Sequence, residues 1–207
     1  MDAVADFRGR AERLLRRDAP MTWNRGDREM QNNAQFMAEG VVPRHAAVLV
    51  GVVPRRGALQ LLLTQRHADL KAHAGQIAFP GGRIDGGETP LQAALREAQE
   101  ETGIAPGFVE HLGYLDGYVT GTGFFISPVV ALLQEGFILQ PQEDEVVDIF
   151  EVPLVFLMDA QNRKTLFRES DGKTWKYYSY PFDGRNIWGA TAGMIKNLAE
   201  MLYGPQG

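Results

Sequence analysis

The sequence predicts an α/β or α+β domain in which helices flank a mixed β-sheet. Two apolar runs, HAAVLVGVV at 45–53 and ALQLLLTQR at 58–66, are separated by the tetrapeptide PRRG, which is typical of a β-hairpin. A helix with well-marked ends follows at about 90–102, and more strand-like runs come after it. Strands interleaved with a few helices favour sheet layers covered by helices.

Composition limits the classes of function. The chain has 207 residues, which suits one domain with an extension, and it contains no cysteine for a disulfide or a thiolate metal site. The net charge of −5 gives no support to nucleic-acid binding. No apolar run approaches the length of a membrane span or forms a signal core. We therefore expect a cytoplasmic protein that binds neither membrane nor nucleic acid.

The N-terminal part predicts a helix followed by an irregular connection. An amphipathic helix is expected over 3–17, because its apolar residues recur on one helical face: Phe7, Ala11, Leu14 and Leu15. No clear period follows over 18–43. We therefore divide the chain into an extension, 1–43, and a main domain, 44–207. The extension is expected to pack on the domain, to form a homodimer contact or to shape the pocket.

The second half predicts strands and a closing helix. Strands are expected near 109–119, 125–133 and 146–152. The runs TLFR and WKYYSY, with a turn near Lys173, predict another hairpin. The last helix is predicted from apolar residues at helical spacing: Met194, Ile195, Leu198 and Leu202.

The ends of the helix at about 90–102 are explicit. Thr89 suits the N-cap, Gln92 completes a capping box with it, and Pro90 suits the first helical position. Gly103 is a typical C-terminal stop. On a helical wheel Leu91, Leu95 and Ala98 are predicted to face the core.

An acidic arc on this helix is the main candidate for chemistry. It consists of Glu97, Glu100 and Glu101. Like charges three and four residues apart repel each other, and the helix has no lysine to offset them. A solvated helix surface is one interpretation. The other is a hard divalent cation such as Mg²⁺, which takes oxygen ligands and substrate phosphates. The glycine-rich loop before the helix can bring backbone close to an ion or a phosphate.

The loop and helix together resemble the Nudix hydrolases. The family's motif is matched at every constrained position by Gly82, Glu88, Arg96, Glu97, Ala98, Glu100, Glu101, Gly103 and Ile104. Upstream, LLTQRHADLKAHAGQIAFPGG resembles the signature of the coenzyme A pyrophosphatase branch. Two positions depart from that signature, since His67 replaces a small residue and Lys71 replaces arginine. Lysine keeps the charge but lacks the bidentate fork.

The resemblance implies an α/β/α sandwich around a mixed sheet, with a catalytic loop-helix-loop. It implies Mg²⁺- or Mn²⁺-dependent hydrolysis of a pyrophosphate linkage. For this branch the implied substrate is coenzyme A or a derivative, cut to 3′,5′-ADP and 4′-phosphopantetheine. Two alternatives stay open: a hydrolase for ADP-ribose or a dinucleoside polyphosphate, and a non-catalytic nucleotide sensor.

The resemblance also assigns roles to residues. Glu97, Glu100 and Glu101 are implied metal ligands, with the carbonyl of Gly82 or Gly81 as a further one. Divalent ions held there would bridge phosphate oxygens and activate a water.

Other residues are expected to act beside these ligands. Arg96 is expected to orient Glu88 and Glu97. The general base is expected to be Glu97 or Glu145, and a solvated turn is the alternative for Glu145. Arg66 and Lys71 are candidates for binding substrate phosphate.

Overall fold

The computed structural model describes residues 2–27, 42–69, 75–170 and 173–204. Within them there are four α-helices: α1 (Ala3–Leu14), α2 (Pro90–Thr102), α3 (Leu154–Met158) and α4 (Ala190–Tyr203). The strands in the same residues are β1 (Trp23–Gly26), β2 (Arg44–Arg55), β3 (Ala58–Arg66), β4 (Ile77–Ala78), β5 (Gly81–Arg83), β6 (Val109–Tyr114), β7 (Gly117–Val119), β8 (Phe124–Leu133), β9 (Val146–Pro153), β10 (Lys164–Ser170), β11 (Lys173–Phe182) and β12 (Arg185–Trp188).

The main sheet is mixed. Its strand order is β1-β7-β8-β2-β3-β4, with β5 paired to β2, β6 to β8 and β9 to β3. The strands β1 and β7 run parallel, as do β2 and β8. The other pairs in this sheet are antiparallel. Among the described residues no helix has the length and apolar character needed to cross a membrane.

The predicted hairpin formed by β2 and β3 is present. Its turn is centred on Arg56 and Gly57, whose φ angles are 45° and 82°. Positive φ at both central residues is the geometry that matches the twist of paired strands. Pro54 and Arg55 still belong to β2, opposite Leu59 and Ala58, so the turn is tighter than the predicted tetrapeptide.

Helices cover both faces of the main sheet. Along β2, Val48, Val50 and Val52 point into a core shared with α1, α3 and α4. The intervening Ala47 and Leu49 point into a second core, which contains the alanines of α2. This alternation places the sheet between two helical layers. The predicted α/β/α sandwich is therefore confirmed.

The ends of α2 agree with the prediction. Thr89 accepts a hydrogen bond from the backbone N–H of Gln92, and the Gln92 side chain accepts one from the backbone N–H of Thr89. Gly103 closes the helix with a φ of 77°. These contacts satisfy backbone groups that a helix end leaves unpaired.

We expect Gly103→Ala to destabilise the fold. An alanine at residue 103 would have to keep the positive φ, which is unfavourable for it, and its methyl group would lie 3.0 Å from the Cβ of Gln140. The expected loss is about 1–2 kcal/mol in the free energy of unfolding, measured by urea denaturation. Gly107→Ala is the control, because a Cβ at Gly107 meets nothing within 4 Å. Equal stabilities of the two variants would contradict the expectation.

The N-terminal region differs from the prediction. The helix ends at Leu14 rather than at residue 17. Residues 18–43 are not wholly irregular, because they include β1, which adds a parallel strand to the main sheet beside β7. Residues 28–41 lie outside the described residues. The boundary between 1–43 and 44–207 stays a prediction, as does a homodimer.

A second sheet lies near the C-terminus. The predicted hairpin is confirmed as β10 and β11, and β12 adds a third antiparallel strand. The sequence analysis missed β12. A signal was available, since Asp183 and Gly184 separate β11 from β12 with φ angles of 46° and 72°. An Asp-Gly pair between strands is a strong hairpin signal.

Candidate active site

The acidic residues of α2 differ from one another in burial. Glu101 is 2% exposed, Glu97 is half-buried and Glu100 is exposed. The prediction that Leu91, Leu95 and Ala98 face the core is confirmed for Ala98, which is buried, and for Leu91, which is half-buried and packs against the core. Leu95 is only half-buried. The buried residues of the helix are Ala93, Ala94, Ala98, Glu101 and Thr102. The small alanines let the helix lie close to the sheet. Because of this close approach, Glu101 is buried between the helix and the sheet.

Glu101 is a buried carboxylate between strands and helix. It accepts hydrogen bonds from the backbone N–H of Gly81 at 3.2 Å and from Arg66 Nη1 at 3.2 Å. Burial raises the pKa of Glu101 to about 7, and the opposing effects of Arg66 and Gly81 do not cancel it. A cation at this position would stabilise its ionised form.

Gly82 lies directly against Glu97. A Cβ at residue 82 would come within 2.5 Å of the Glu97 carboxyl group, and a Cβ at Gly81 would come within 2.4 Å of the Ala47 carbonyl oxygen. Neither position has room for a side chain. Burial raises the pKa of Glu97, with Arg96 acting in the opposite direction. The backbone at Gly82 therefore lies beside the Glu97 carboxyl group.

Arg96 joins the loop to the helix. Its Nε and Nη2 atoms donate to the two oxygens of Glu88 at 2.8 and 3.0 Å. Its Nη1 atom donates to Glu97 at 2.8 Å and to Glu100 at 3.1 Å, and Nη2 also reaches the carbonyl of Arg83. Arg96 lowers the pKa of Glu88 to about 2. The contacts that an orienting role requires are thus present.

Glu145 joins this cluster from a distant part of the sequence. It lies immediately before β9, and its carbonyl accepts a hydrogen bond from the backbone N–H of His67 at 2.9 Å. Its carboxylate is 4.0 Å from Arg66 Nη2, so Arg66 lies between Glu101 and Glu145. The negative charge of Glu145 contributes to the raised pKa values of Glu97 and Glu101.

The oxygen-rich cluster has the chemistry of a hard-cation site, although its carboxylates are held by arginines. In the part of the chain that the structure describes, no three His, Cys, Asp or Glu side chains form a ready metal-binding group. Its oxygen donors match those that Mg²⁺ and Mn²⁺ prefer. These residues therefore fit a divalent ion.

A cavity of about 850 Å³ opens beside the cluster. Arg66, Gly81 and Gly82 line it, as the predicted substrate-binding roles require. The loop between β7 and β8, with the first residue of β8, contributes Thr120, Gly121, Thr122 and Phe124 to the wall. The second sheet contributes another part of the wall. Lys71 lies outside the described residues.

Asp27 is a cavity residue that the sequence analysis missed. It follows β1 and accepts hydrogen bonds from the backbone N–H of Gly121 and from the Tyr118 hydroxyl, both at 2.7 Å. Burial raises its pKa, and these two hydrogen bonds oppose the shift. The extension therefore holds one loop of the cavity wall, as one of the predicted alternatives required.

The fold and the site define an α/β/α protein with a candidate divalent-metal centre beside a nucleotide-sized cavity. Comparison with known proteins agrees. Residues 43–180 match the NUDIX domain. The chain belongs to the Nudix family, whose members are hydrolases of nucleoside diphosphate derivatives and generally depend on divalent metal.

Two relatives illustrate the similarity. A Citrobacter koseri protein named "Uncharacterized Nudix hydrolase NudL" is 42% identical over 173 residues, which cover 81% of this chain and 88% of that protein. A Klebsiella pneumoniae protein of the same name is 43% identical over 164 residues, covering 77% and 83%. Among solved structures, a C. elegans Ap4A hydrolase binary complex aligns with a TM-score of 0.47 and 24% identity, covering 53% of this chain and 80% of that one.

Proposed function

We propose that the protein hydrolyses the pyrophosphate bond of coenzyme A or a derivative in the cytoplasm, giving 3′,5′-ADP and 4′-phosphopantetheine. The observation that carries the proposal is the cluster of Glu97, Glu101 and Glu145 around Arg66 and Gly82, two residues that line a cavity of about 850 Å³. The resemblance of LLTQRHADLKAHAGQIAFPGG to the coenzyme A branch supports the choice of substrate.

The residues divide the chemistry among them. Glu97, Glu100, Glu101 and the carbonyl of Gly82 would hold Mg²⁺ or Mn²⁺, which supplies charge neutralisation for the pyrophosphate when bound. Arg66 adds a positive charge at the cavity wall, where it can bind a phosphate oxygen.

The proposal assigns the general base to Glu97 or to Glu145. Both are partly exposed near the cluster, so either can accept a proton from an attacking water. Arg96 and Glu88 position the glutamates and do not contact substrate.

A second candidate is hydrolysis of ADP-ribose or a dinucleoside polyphosphate. The specific observations in its favour are the departures at His67 and Lys71 from the coenzyme A signature. The two candidates share the metal cluster and differ in the group beyond the pyrophosphate.

The deciding experiment is mass spectrometry of products after incubation with Mg²⁺ or Mn²⁺. The substrates are coenzyme A, dephospho-coenzyme A, ADP-ribose and diadenosine tetraphosphate. The expected result is fastest turnover of coenzyme A to 3′,5′-ADP and 4′-phosphopantetheine. Faster turnover of another substrate would replace the coenzyme A assignment. If none of the four substrates were hydrolysed, the protein would instead be a non-catalytic nucleotide sensor.

The same assay tests the general base. Glu97→Gln and Glu145→Gln are compared with Glu143→Gln, an exposed acid two residues from Glu145. Glu97→Gln is expected to lose activity in either case, because Glu97 is also a proposed metal ligand. A loss of about 10²–10⁴-fold in kcat for Glu145→Gln would assign the base to Glu145, and a small change would assign it to Glu97. The control is expected to keep wild-type activity.

We expect Asp27→Ala to weaken substrate binding. The change removes both hydrogen bonds that tie the loop at Gly121 and the Tyr118 hydroxyl to the extension. A roughly tenfold rise in KM is expected with a smaller change in kcat, measured by steady-state kinetics on the preferred substrate. Asp18→Ala, at an exposed site in the same extension, is the control. An unchanged KM would show that Asp27 does not shape the binding surface.

A further inference from the structure

The sheet formed by β10, β11 and β12 has two chemically different faces. Its register places Arg168 opposite Trp175 and Ser179 opposite Trp188, so alternate residues share a face. One face buries Tyr180 and Ile187 in the core with α4. The other face lines the cavity with Arg168, Trp175, Tyr177, Asn186 and Trp188. We call these five residues the aromatic wall.

Two aromatic rings of this wall pack edge to face. The Tyr177 and Trp188 ring centroids are 5.8 Å apart with an angle of 67° between the planes. This edge-to-face contact is favourable for aromatic pairs. Trp188 is nevertheless 37% exposed and Trp175 is half-buried, although both are large apolar side chains. Exposed aromatic surface in a cavity is suited to stacking against a planar ligand.

Arg168 adds a positive charge to the same wall. It is exposed, and within the described residues it forms no ion pair with a carboxylate. Its guanidinium group is suited to bidentate binding of phosphate. Arg168 therefore offers a phosphate ligand a positive charge that no acidic side chain in the described residues neutralises.

We propose that the aromatic wall is the nucleoside subsite, with a nucleobase stacked on Trp175 and Arg168 bound to a phosphate on the ribose. The inference rests on the proposed function, because it assumes a nucleoside diphosphate whose pyrophosphate lies near Gly82 and Arg66. Those residues and the wall line the same cavity. A pantetheine chain has neither an aromatic ring nor an anion, so it would use neither feature of the wall.

Equilibrium binding of products tests the subsite without depending on hydrolysis. Titration calorimetry with 3′,5′-ADP and 5′-AMP would be run on the full chain. Trp175→Leu is expected to weaken both ligands by roughly tenfold, and Trp175→Phe is expected to restore most of the affinity. Arg168→Gln is expected to weaken 3′,5′-ADP by roughly tenfold and to leave 5′-AMP unchanged.

Two controls come from the same strand as Arg168. Lys164→Gln removes an exposed cation that is absent from the cavity lining, and Phe167→Leu alters an exposed ring on the opposite face. Both are expected to bind like wild type. Unchanged affinity in a folded Trp175→Leu protein would overturn the stacking claim. Equal weakening of both ligands by Arg168→Gln would overturn the phosphate claim.

The experiments distinguish a failure of the proposed function from a failure of the nucleoside subsite. If wild type leaves coenzyme A intact but binds 3′,5′-ADP and 5′-AMP through Trp175, the substrate assignment falls and the nucleoside subsite stands. If wild type hydrolyses coenzyme A while Trp175→Leu binds both nucleotides normally, the function stands and the subsite falls.

Discussion

Replacing Glu101 by Gln is expected to abolish hydrolysis and to stabilise the metal-free protein at the same time. Glu101 is 2% exposed, and its two carboxylate oxygens accept hydrogen bonds from Arg66 and from the Gly81 backbone. Glutamine keeps one acceptor oxygen and replaces the other by an NH₂ group, and it carries no charge. We expect a loss of about 10³-fold or more in kcat/KM, because a metal ligand is removed.

The stability effect depends on pH. The pKa of Glu101 is raised from 4.5 to about 7 in the folded protein, so the folded state favours the protonated form. The stabilisation from a protonated Glu101 is complete below pH 4.5. It is lost as pH rises from 4.5 through about 7, by at most about 3 kcal/mol in the free energy of unfolding.

Urea denaturation in EDTA, from pH 5 to pH 8, measures this effect. Wild type and Glu143→Gln should lose stability over that range, and Glu101→Gln should lose less. Adding Mg²⁺ should restore wild type at pH 8 but not Glu101→Gln, because binding to the folded state alone stabilises it. A Glu101→Gln protein with wild-type pH dependence would show that the buried carboxylate is not the titrating group.

Arg96→Met is expected to weaken both metal binding and hydrolysis. The change breaks the contacts with Glu88, Glu97 and Glu100 together. The glutamates would then repel each other and lose their fixed orientation, so metal affinity and kcat/KM should each fall by about 10–100-fold. The measurements are activity as a function of Mn²⁺ concentration and Mn²⁺ binding. Arg13→Met, on the exposed side of α1, should match wild type.

A double-mutant cycle distinguishes orientation from simple charge loss. Glu88→Gln and Arg96→Met should be strongly non-additive, because each acts through the other. High Mn²⁺ should recover part of the activity of both single variants. Additive losses that Mn²⁺ does not relieve would instead indicate that Arg96 contacts substrate directly.

Features fixed by short-range interactions could be predicted from the sequence. The ends of α2 follow from Thr89, Gln92 and Gly103, whose partners lie within a few residues. The alternation along β2 follows from the period of a strand. The spacing of the glutamates, from which the metal site was predicted, is also a local feature of the sequence. These elements needed no knowledge of tertiary packing.

Features fixed by packing could not be predicted in the same way. The face of α2 that packs on the core was predicted mainly from Leu91 and Leu95. The alanines, however, determine how closely the helix approaches the sheet. Glu101 therefore became buried, which its charge alone would not suggest. Asp27 gave no local signal, because its position in the cavity wall depends on the parallel pairing of β1 with β7.

The aromatic wall also has a consequence for engineering. The side chains proposed to hold metal all lie on α2, whereas the aromatic wall lies on β10, β11 and β12. The proposed metal site and the proposed nucleoside subsite are thus carried by separate stretches of chain. Exchanging residues 164–188 is therefore expected to change substrate preference while every proposed metal-binding side chain stays in place.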